Sequence, residues 1–191
     1  MLIMPMMCKV FVDEAYQDLS CYSTLAILNT SLLHSSAIID QTFTTRKIMT
    51  TALATQFFGC YISTERWSDV WIRKGIPIYL MGLWVRKTFG NNEYRDMVHQ
   101  HMYDMVKYEE QCGGIILDSS QRPANIVSMR GEATRNPETE LNAFCFPVTN
   151  LQTCSPEYLE AMDKKAHLVV RMLENRIGQE QLLQVRTTLL V

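Results

Sequence analysis

Apolar side chains recur every three or four positions along much of the chain, a spacing that places them on one face of an α-helix. The first such helix is predicted from about Thr44, with Thr42 or Thr44 as its N-cap and Gly59 at its end. A second helix is predicted from Ser68 or Asp69 and stops before the sequence FGNN. The central part of the chain is therefore expected to be helical.

Pro77 falls inside the second predicted helix, where a proline removes a backbone donor and costs about 3 kcal/mol or a kink. That helix is therefore expected to begin later or to bend. A third helix is predicted over about 92–110, ended by the glycine pair that follows it. The most clearly delimited helix begins with Ser155 as N-cap and Pro156 in the first turn, and it ends at Gly178 before one further helix. Its buried stripe is predicted to contain Leu159, Met162, Ala166, Val169 and Leu173.

Strand patterns are confined to the first part of the chain. Residues 8–16 alternate β-branched or aromatic side chains with polar ones, which predicts a short strand, and SSAIID at 35–40 is a candidate for another. Residues 118–154 are polar, contain prolines and show no period, which predicts a long polar loop. Together these patterns predict an α+β, mainly α fold in a single domain over 1–191, with a short β portion before the helices.

Composition narrows the classes of protein that the chain can belong to. A hydrophobic content of 47% and a charged content of 20% are ordinary for a soluble globular domain. Because 18 basic residues are balanced by 20 acidic ones, a strongly basic nucleic-acid-binding arm is not expected. No apolar run approaches the roughly 20 residues of a membrane span. The six cysteines form no C-x-x-C pair, which favours buried free thiols in a reducing compartment over a zinc finger.

Isolated histidines and cysteines give little support for a metal or catalytic site. His99 and His101 lie two positions apart in a predicted helix, so they point to different faces and are not expected to share a metal ion. His34 stands alone, and His167 is interpreted as a packed or hydrogen-bonded side chain. Cys60 has no histidine near it in sequence to act as a base, so nucleophilic catalysis is not expected there.

Basic residues on the predicted helices raise a second possibility, contact with phosphate groups. They form two sets, namely Lys164, Lys165, Arg171 and Arg176, and Arg46, Lys47, Arg86 and Lys87. No aromatic residues are interleaved with them and no base-reading motif is present, so a solvated helix surface is the favoured interpretation. Phosphate contact remains the alternative, and it would weaken steeply with added salt.

The stretch 50–80 resembles the core of the gluzincin zinc aminopeptidases, which read roughly H-E-x-x-H-Q-W-F-G and then W-x-D-x-W-L-x-E-G. The matching residues are Gln56, Phe57, Phe58 and Gly59 in the first block and Trp67, Asp69, Trp71, Ile72 and Gly75 in the second. This resemblance assigns the three zinc-ligand positions to Thr51, Thr55 and Lys74, with 18 residues between the last two, and the general-base position to Ala52.

Every chemical group of that motif is replaced. A threonine hydroxyl is a poor zinc ligand at neutral pH, the Ala52 methyl accepts no proton, and the Lys74 ammonium opposes a dication. Downstream, DKKAHLVVRML resembles the family's Y-x-K-G segment and the helix after it, and it places Asp163 where the family has its oxyanion-stabilising tyrosine. Nothing around 17–22 resembles the family's peptide-anchoring G-A-M-E-N. Asp69 is a candidate partner for Lys74.

The resemblance therefore implies a fragment of a helical, thermolysin-like (zincin) peptidase domain without catalytic residues, metal or cofactor. Long phrases such as QFFGCYIS, WSDVWIRKGI and GLWVRKTFGNNEYR are most similar to a degenerate branch of this family, the aminopeptidase-like TBP-associated factors of the general transcription factor TFIID. These are much longer proteins. The similarity implies a nuclear, non-catalytic scaffold that helps TFIID to engage the core promoter in RNA polymerase II initiation.

The partners implied by the resemblance are other TBP-associated factors, TBP and, through the assembly, core promoter DNA, with no membrane. The alternative from a different functional class is a residual zinc-dependent aminopeptidase. Tightly bound zinc, or cleavage of an aminoacyl reporter that chelation abolishes, distinguishes the second hypothesis from the first.

Overall fold

The structure is a computed structural model that describes residues 7–15, 17–35, 37–62, 64–117 and 154–188. The strands are β1 (Cys8–Val12), β2 (Leu19–Tyr22) and β3 (Leu25–Asn29). The α-helices are α1 (Ile39–Thr55), α2 (Val70–Thr88), α3 (Asn91–Cys112), α4 (Pro156–Ile177) and α5 (Gln179–Thr188). Shorter turns are 3-10 at Thr30–Leu32 and Trp67–Asp69, and π-helical at Gln56–Tyr61. The predicted mainly α, α+β class is confirmed, and the predicted loop lies, apart from Cys154, outside the described residues.

The three strands form one mixed sheet in the order β1-β3-β2. β1 runs parallel to β3, and β2 runs antiparallel to it. Alternate residues of the central strand, Ala26 and Leu28, are fully buried, because successive side chains of a strand point to opposite faces. The predicted strand at 8–16 is confirmed only as far as Val12, since a turn follows in which Glu14 has a positive φ of 52°.

The strand suggested at 35–40 is wrong, because Ile39 and Asp40 open α1. An acidic side chain in the first turn suits the positive end of the helix dipole, and this local preference outweighs the β-branched isoleucines. The N-cap position is Ile38, without a side-chain cap bond, so the predicted threonine caps are also wrong. Thr42 lies inside the helix and donates its hydroxyl hydrogen to the Ile38 carbonyl at 3.2 Å.

Two further helix ends differ from their predictions. Gly59 does not end α1, which passes directly into the π-helical turn that contains this glycine. Pro77 neither delays nor ends α2, which is continuous from Val70 to Thr88 with the proline buried inside it. Asp69 does occupy the N-cap position of α2, but its carboxylate makes no cap bond and accepts the Ser68 hydroxyl at 3.3 Å instead.

α2 is the central helix and packs against α1, α3 and α4. Its contact with α4 is unusually close at Gly75, where an added Cβ would lie 2.8 Å from the Ala166 carbonyl oxygen. Glycine is therefore required at this position by the approach of two backbones. The main core cluster lies between α2 and α3 and consists of Met81, Val85, Tyr94, Met97 and Val98.

The α3 and α4 predictions hold best. α4 begins after Ser155, whose side chain accepts the Tyr158 amide hydrogen at 3.2 Å, and Gly178 follows its last residue. Met162 and Ala166 of the predicted stripe are buried, but Leu173 is 37% exposed. Cys8, Cys21, Cys60 and Cys112 are free thiols as predicted, although Cys8 and Cys112 are exposed rather than buried. In the described part of the chain, no helix combines the length and apolar character needed to cross a bilayer.

Candidate functional site

A cleft of about 390 Å³ lies between β2, the end of α1, the π-helical turn, α2 and α4. Four of the five positions singled out from the sequence line it, namely Thr51, Thr55, Lys74 and Asp163. Thr51 and Thr55 reach the same wall because residues four apart share one face of a helix. The fifth position, Ala52, is fully buried and is not among the lining residues.

The two threonines in the cleft satisfy local packing and hydrogen bonding. The Thr51 hydroxyl donates to the Lys47 carbonyl at 2.9 Å, one turn earlier in α1, as threonines inside helices commonly do. The Thr55 methyl fills the space beside Gly59, where an added Cβ would lie 2.6 Å from it. Close packing of that methyl therefore requires glycine in the π-helical turn.

An ion pair crosses the cleft from α2 to α4. Lys74 Nζ lies 3.7 Å from Asp163 Oδ2, so the partner of Lys74 is Asp163 and the earlier candidate, Asp69, is wrong. Burial raises the pKa of Asp163 above its ordinary value, and the neighbouring Lys74 ammonium acts in the opposite direction. The second carboxylate oxygen, Oδ1, is buried and has no hydrogen-bond partner in the described part of the chain.

Gln56 fixes the β2 wall of the cleft. Its side chain is only 4% exposed, and its Oε1 accepts the Thr24 amide hydrogen at 3.0 Å. Its Nε2 donates to the carbonyls of Tyr22 at 2.9 Å and Leu25 at 3.2 Å. The turn between β2 and β3 contains Thr24 at a φ of 64°, so one amide satisfies three backbone groups of a strained hairpin.

Arg73, Cys21 and Cys60 also line the cleft. The sequence had placed Cys60 beside the degenerate site, but it assigned neither Arg73 nor Cys21 to it. Burial raises the pKa of Cys21 to about 11 and also raises that of Cys60. Both thiols therefore stay protonated near neutral pH, which disfavours the thiolate needed for nucleophilic chemistry. Cys21 lies on β2, far in sequence from the helices of the motif, so its position in the cleft could not be read from spacing alone.

The interpretation of His167 as a hydrogen-bonded histidine is confirmed, and its partner is His101. The two Nδ1 atoms lie 3.0 Å apart across the contact of α3 with α4. Burial lowers the pKa of His167 to about 3, and the positive charges of Arg171 and of His101 in its protonated form act in the same direction. Burial also lowers the pKa of His101, so both rings are neutral at physiological pH. Within the described ranges, no three His, Cys, Asp or Glu side chains are grouped so that they could hold a metal ion.

Three of the basic residues considered for phosphate contact form ion pairs within the fold. Lys47 pairs with Glu93 at 2.6 Å, joining α1 to α3. Lys164 pairs with Asp104 at 2.7 Å, and Lys165 contacts Glu109. Because these ammonium groups already have carboxylate partners, the structure favours the interpretation that they stabilise helix packing.

Comparison with known proteins gives a consistent result. The chain is 53% identical over 178 residues to "Transcription initiation factor TFIID subunit 2" of Drosophila melanogaster, a match that covers 93% of this chain and 15% of the relative. It is 44% identical over 181 residues to the protein of the same name in Gallus gallus, covering 95% of this chain and 15% of that one. The corresponding Caenorhabditis elegans protein is 35% identical over 181 residues, with the same coverage.

No protein-family model matches the chain. The chain spans only about 15% of the length of these relatives, so it is compared with one segment of each of them. Insect, bird and nematode proteins all show identity of this level over nearly the whole chain. This agrees with the resemblance indicated by sequence segments such as QFFGCYIS and WSDVWIRKGI. Over nearly its whole length, the chain is therefore similar to one segment of the TFIID subunit 2 proteins.

Proposed function

We propose that the chain is a non-catalytic scaffold and interaction module of TFIID, acting in the nucleus in RNA polymerase II transcription initiation. The similarity to these relatives supports the assembly role, since each relative reported above is named as a subunit of that factor. Its partners are then other TBP-associated factors and TBP, and core promoter DNA is reached through the assembly.

The ion pair between Lys74 and Asp163 in the cleft is the observation that supports the proposed lack of catalysis. In a zinc peptidase of this type, the position of Lys74 holds a carboxylate ligand. Here an ammonium occupies it, with an aspartate from α4 as its partner. The Lys74 ammonium, which lines the cleft, opposes the entry of a doubly charged metal ion. Neither threonine hydroxyl nor the Ala52 methyl supplies the missing charge or base.

Zinc content and aminopeptidase activity of the intact chain test this proposal. We expect the purified protein to carry no stoichiometric zinc and to leave an aminoacyl reporter uncleaved. Stoichiometric zinc, or cleavage that a chelator abolishes, would contradict it and favour the residual aminopeptidase. Co-expression with defined TFIID subunits tests the assembly role, and failure to co-purify with any of them counts against it.

The zincin architecture is a separate part of the proposal and has its own test. Thr51→His, Thr55→His and Lys74→Glu, made together, restore two imidazoles and a carboxylate at the three ligand positions. We expect this triple variant to bind one zinc ion tightly. The matched control is Thr51→His with Thr55→His in a chain that keeps Lys74, which should bind zinc far more weakly. A folded triple variant that binds no more zinc than the control would refute the proposed geometry.

A further inference from the structure

The described residues that line the cleft carry more positive than negative charge. Among them the ionised groups are Arg73 and Lys74 from α2 and Asp163 from α4, which leaves an excess of one positive charge within this part of the chain. Among the described residues, Arg73 makes no ion pair and no side-chain hydrogen bond, although it is only partly exposed. A half-buried guanidinium without an acceptor is unfavourable, because partial removal from water is not offset by a new partner.

The pairing of Lys74 is also incomplete. Its 3.7 Å distance to Asp163 is about 1 Å longer than the 2.5 to 2.7 Å of the other ion pairs in the described part of the chain. An ammonium carries three donors, and this contact occupies at most one of them. The Lys74 side chain is 39% exposed, so the remaining donors can be reached from the cleft.

The rest of the lining is compatible with a polar ligand. Ser20 of β2 contributes a hydroxyl, and Gln17 lies just before that strand. Burial raises the pKa of Cys21 and Cys60, while Lys74 acts to lower the first and Arg73 the second. The charge of Lys74 therefore acts on the β2 wall and that of Arg73 on the π-helical turn.

From this arrangement we infer that the cleft is a binding site for one carboxylate group, held by Arg73 and Lys74. A single negative charge balances the single excess positive charge. A phosphate dianion would exceed that charge and would be repelled by Asp163 more strongly than a singly charged carboxylate, so a carboxylate is the favoured class. Guanidinium and ammonium groups together match the two oxygens of such a ligand.

The carboxylate has two possible sources, a free small acid or an acidic side chain on another protein. Calorimetric titration with acetate, and with the peptide acetyl-Gly-Glu-Gly-amide, distinguishes them. Affinity for both probes in the millimolar range, about 1 mM, indicates a free acid, whereas much tighter binding of the peptide indicates a protein segment. The matched neutral peptide, with Gln in place of Glu, should not bind.

Charge variants test the assignment to these side chains. Lys74→Gln and Arg73→Gln should each weaken carboxylate binding by about tenfold, since each removes one charge-assisted contact. Asp163→Asn should strengthen it, because the internal competitor for Lys74 loses its charge. Lys87→Gln is the control, with the same change of charge at an exposed position on the same helix, and it should leave affinity unchanged.

Three results would overturn the inference: no saturable binding of either carboxylate up to about 20 mM, equal loss of affinity in the Lys87 control, or tighter binding of inorganic phosphate. The inference rests on the proposed non-catalytic function, because a zinc ion bound in this cleft would compete with Arg73 and Lys74 for the carboxylate. The two proposals fail separately. Stoichiometric zinc refutes the proposed function, whereas a zinc-free protein that ignores carboxylates refutes only this inference.

Discussion

Gly75→Ala tests the close contact of α2 with α4. The added Cβ would meet the Ala166 carbonyl oxygen at 2.8 Å and its carbon at 2.9 Å, whereas ordinary contact begins near 3.4 Å. One helix must therefore move by about 0.6 Å at this point. The neighbour is backbone and cannot rotate away as the end of a flexible side chain can, so the movement must involve a whole helix segment.

The expected change in the free energy of unfolding follows from two opposing effects of Gly75→Ala. Overpacking of a well-packed site destabilises by about 1–3 kcal/mol. Alanine is favoured over glycine inside a helix by about 1 kcal/mol, which offsets part of that loss. Because the clash involves backbone, we expect the upper part of the overpacking range and a net loss of about 1–2 kcal/mol in the free energy of unfolding.

Urea denaturation followed by circular dichroism measures this loss as a lower midpoint with an unchanged slope. Gly82→Ala on the same helix is the matched control. Its added Cβ meets only side-chain atoms, the Met97 methyl and the edge of the Tyr94 ring, each at 3.1 Å. We expect a smaller change there, within about 1 kcal/mol of zero. If Gly75→Ala proved as stable as the original chain, or more stable than the control, the close approach of the two helices would be refuted.

Three further predictions concern single side chains. Gln56→Leu should lower the free energy of unfolding measured in urea by about 2–4 kcal/mol, because it leaves two carbonyls and one amide of the hairpin without their hydrogen bonds. A loss below about 1 kcal/mol would refute the role of Gln56 in holding the hairpin. The pKa of His167 is lower in the folded state, at about 3, than its ordinary 6.5, so the unfolded chain binds the proton first and stability should fall as pH drops from about 6.5 towards 3. Urea midpoints measured across this range should fall less steeply with decreasing pH in a His167→Gln variant. An identical pH dependence in the two proteins would contradict the assignment of this effect to His167. Ser155→Ala should lower the free energy of unfolding by about 1 kcal/mol, because it removes the side chain that caps α4. The control is Ser31→Ala, which should cause no change, since Ser31 is exposed and forms its hydrogen bond through the backbone amide rather than the hydroxyl.

Local signals in the sequence predicted the C-terminal helices well. Ser155, Pro156 and Gly178 delimit α4 through capping and backbone preferences that depend on neighbouring residues alone. The start of α1 was predicted wrongly. Its threonines have the chemistry of caps, but the helix extends past them to Ile39 without any side-chain cap. The local signal that the prediction overlooked is the acidic Asp40 in the first turn.

The resemblance to the gluzincin motif singled out four residues that line the cleft, but it did not indicate how their charges pair. The interval that relates Thr51, Thr55 and Lys74 was read from a resemblance, and the structure brings these residues to one cleft with Asp163. The partner of Lys74 was wrongly sought at Asp69, close by in sequence, because the true partner lies on α4, far along the chain. The His101 and His167 contact was missed for the same reason.

The amide of Gln56 has a consequence for motion. Since it holds the Thr24 amide hydrogen and two strand carbonyls at once, the hairpin cannot detach from the helical layer without breaking all three bonds together. Opening of the hairpin and fraying of the end of α1 should therefore be one cooperative event. Thr24, although it sits in a turn, should exchange its amide hydrogen with solvent as slowly as the paired strand beside it.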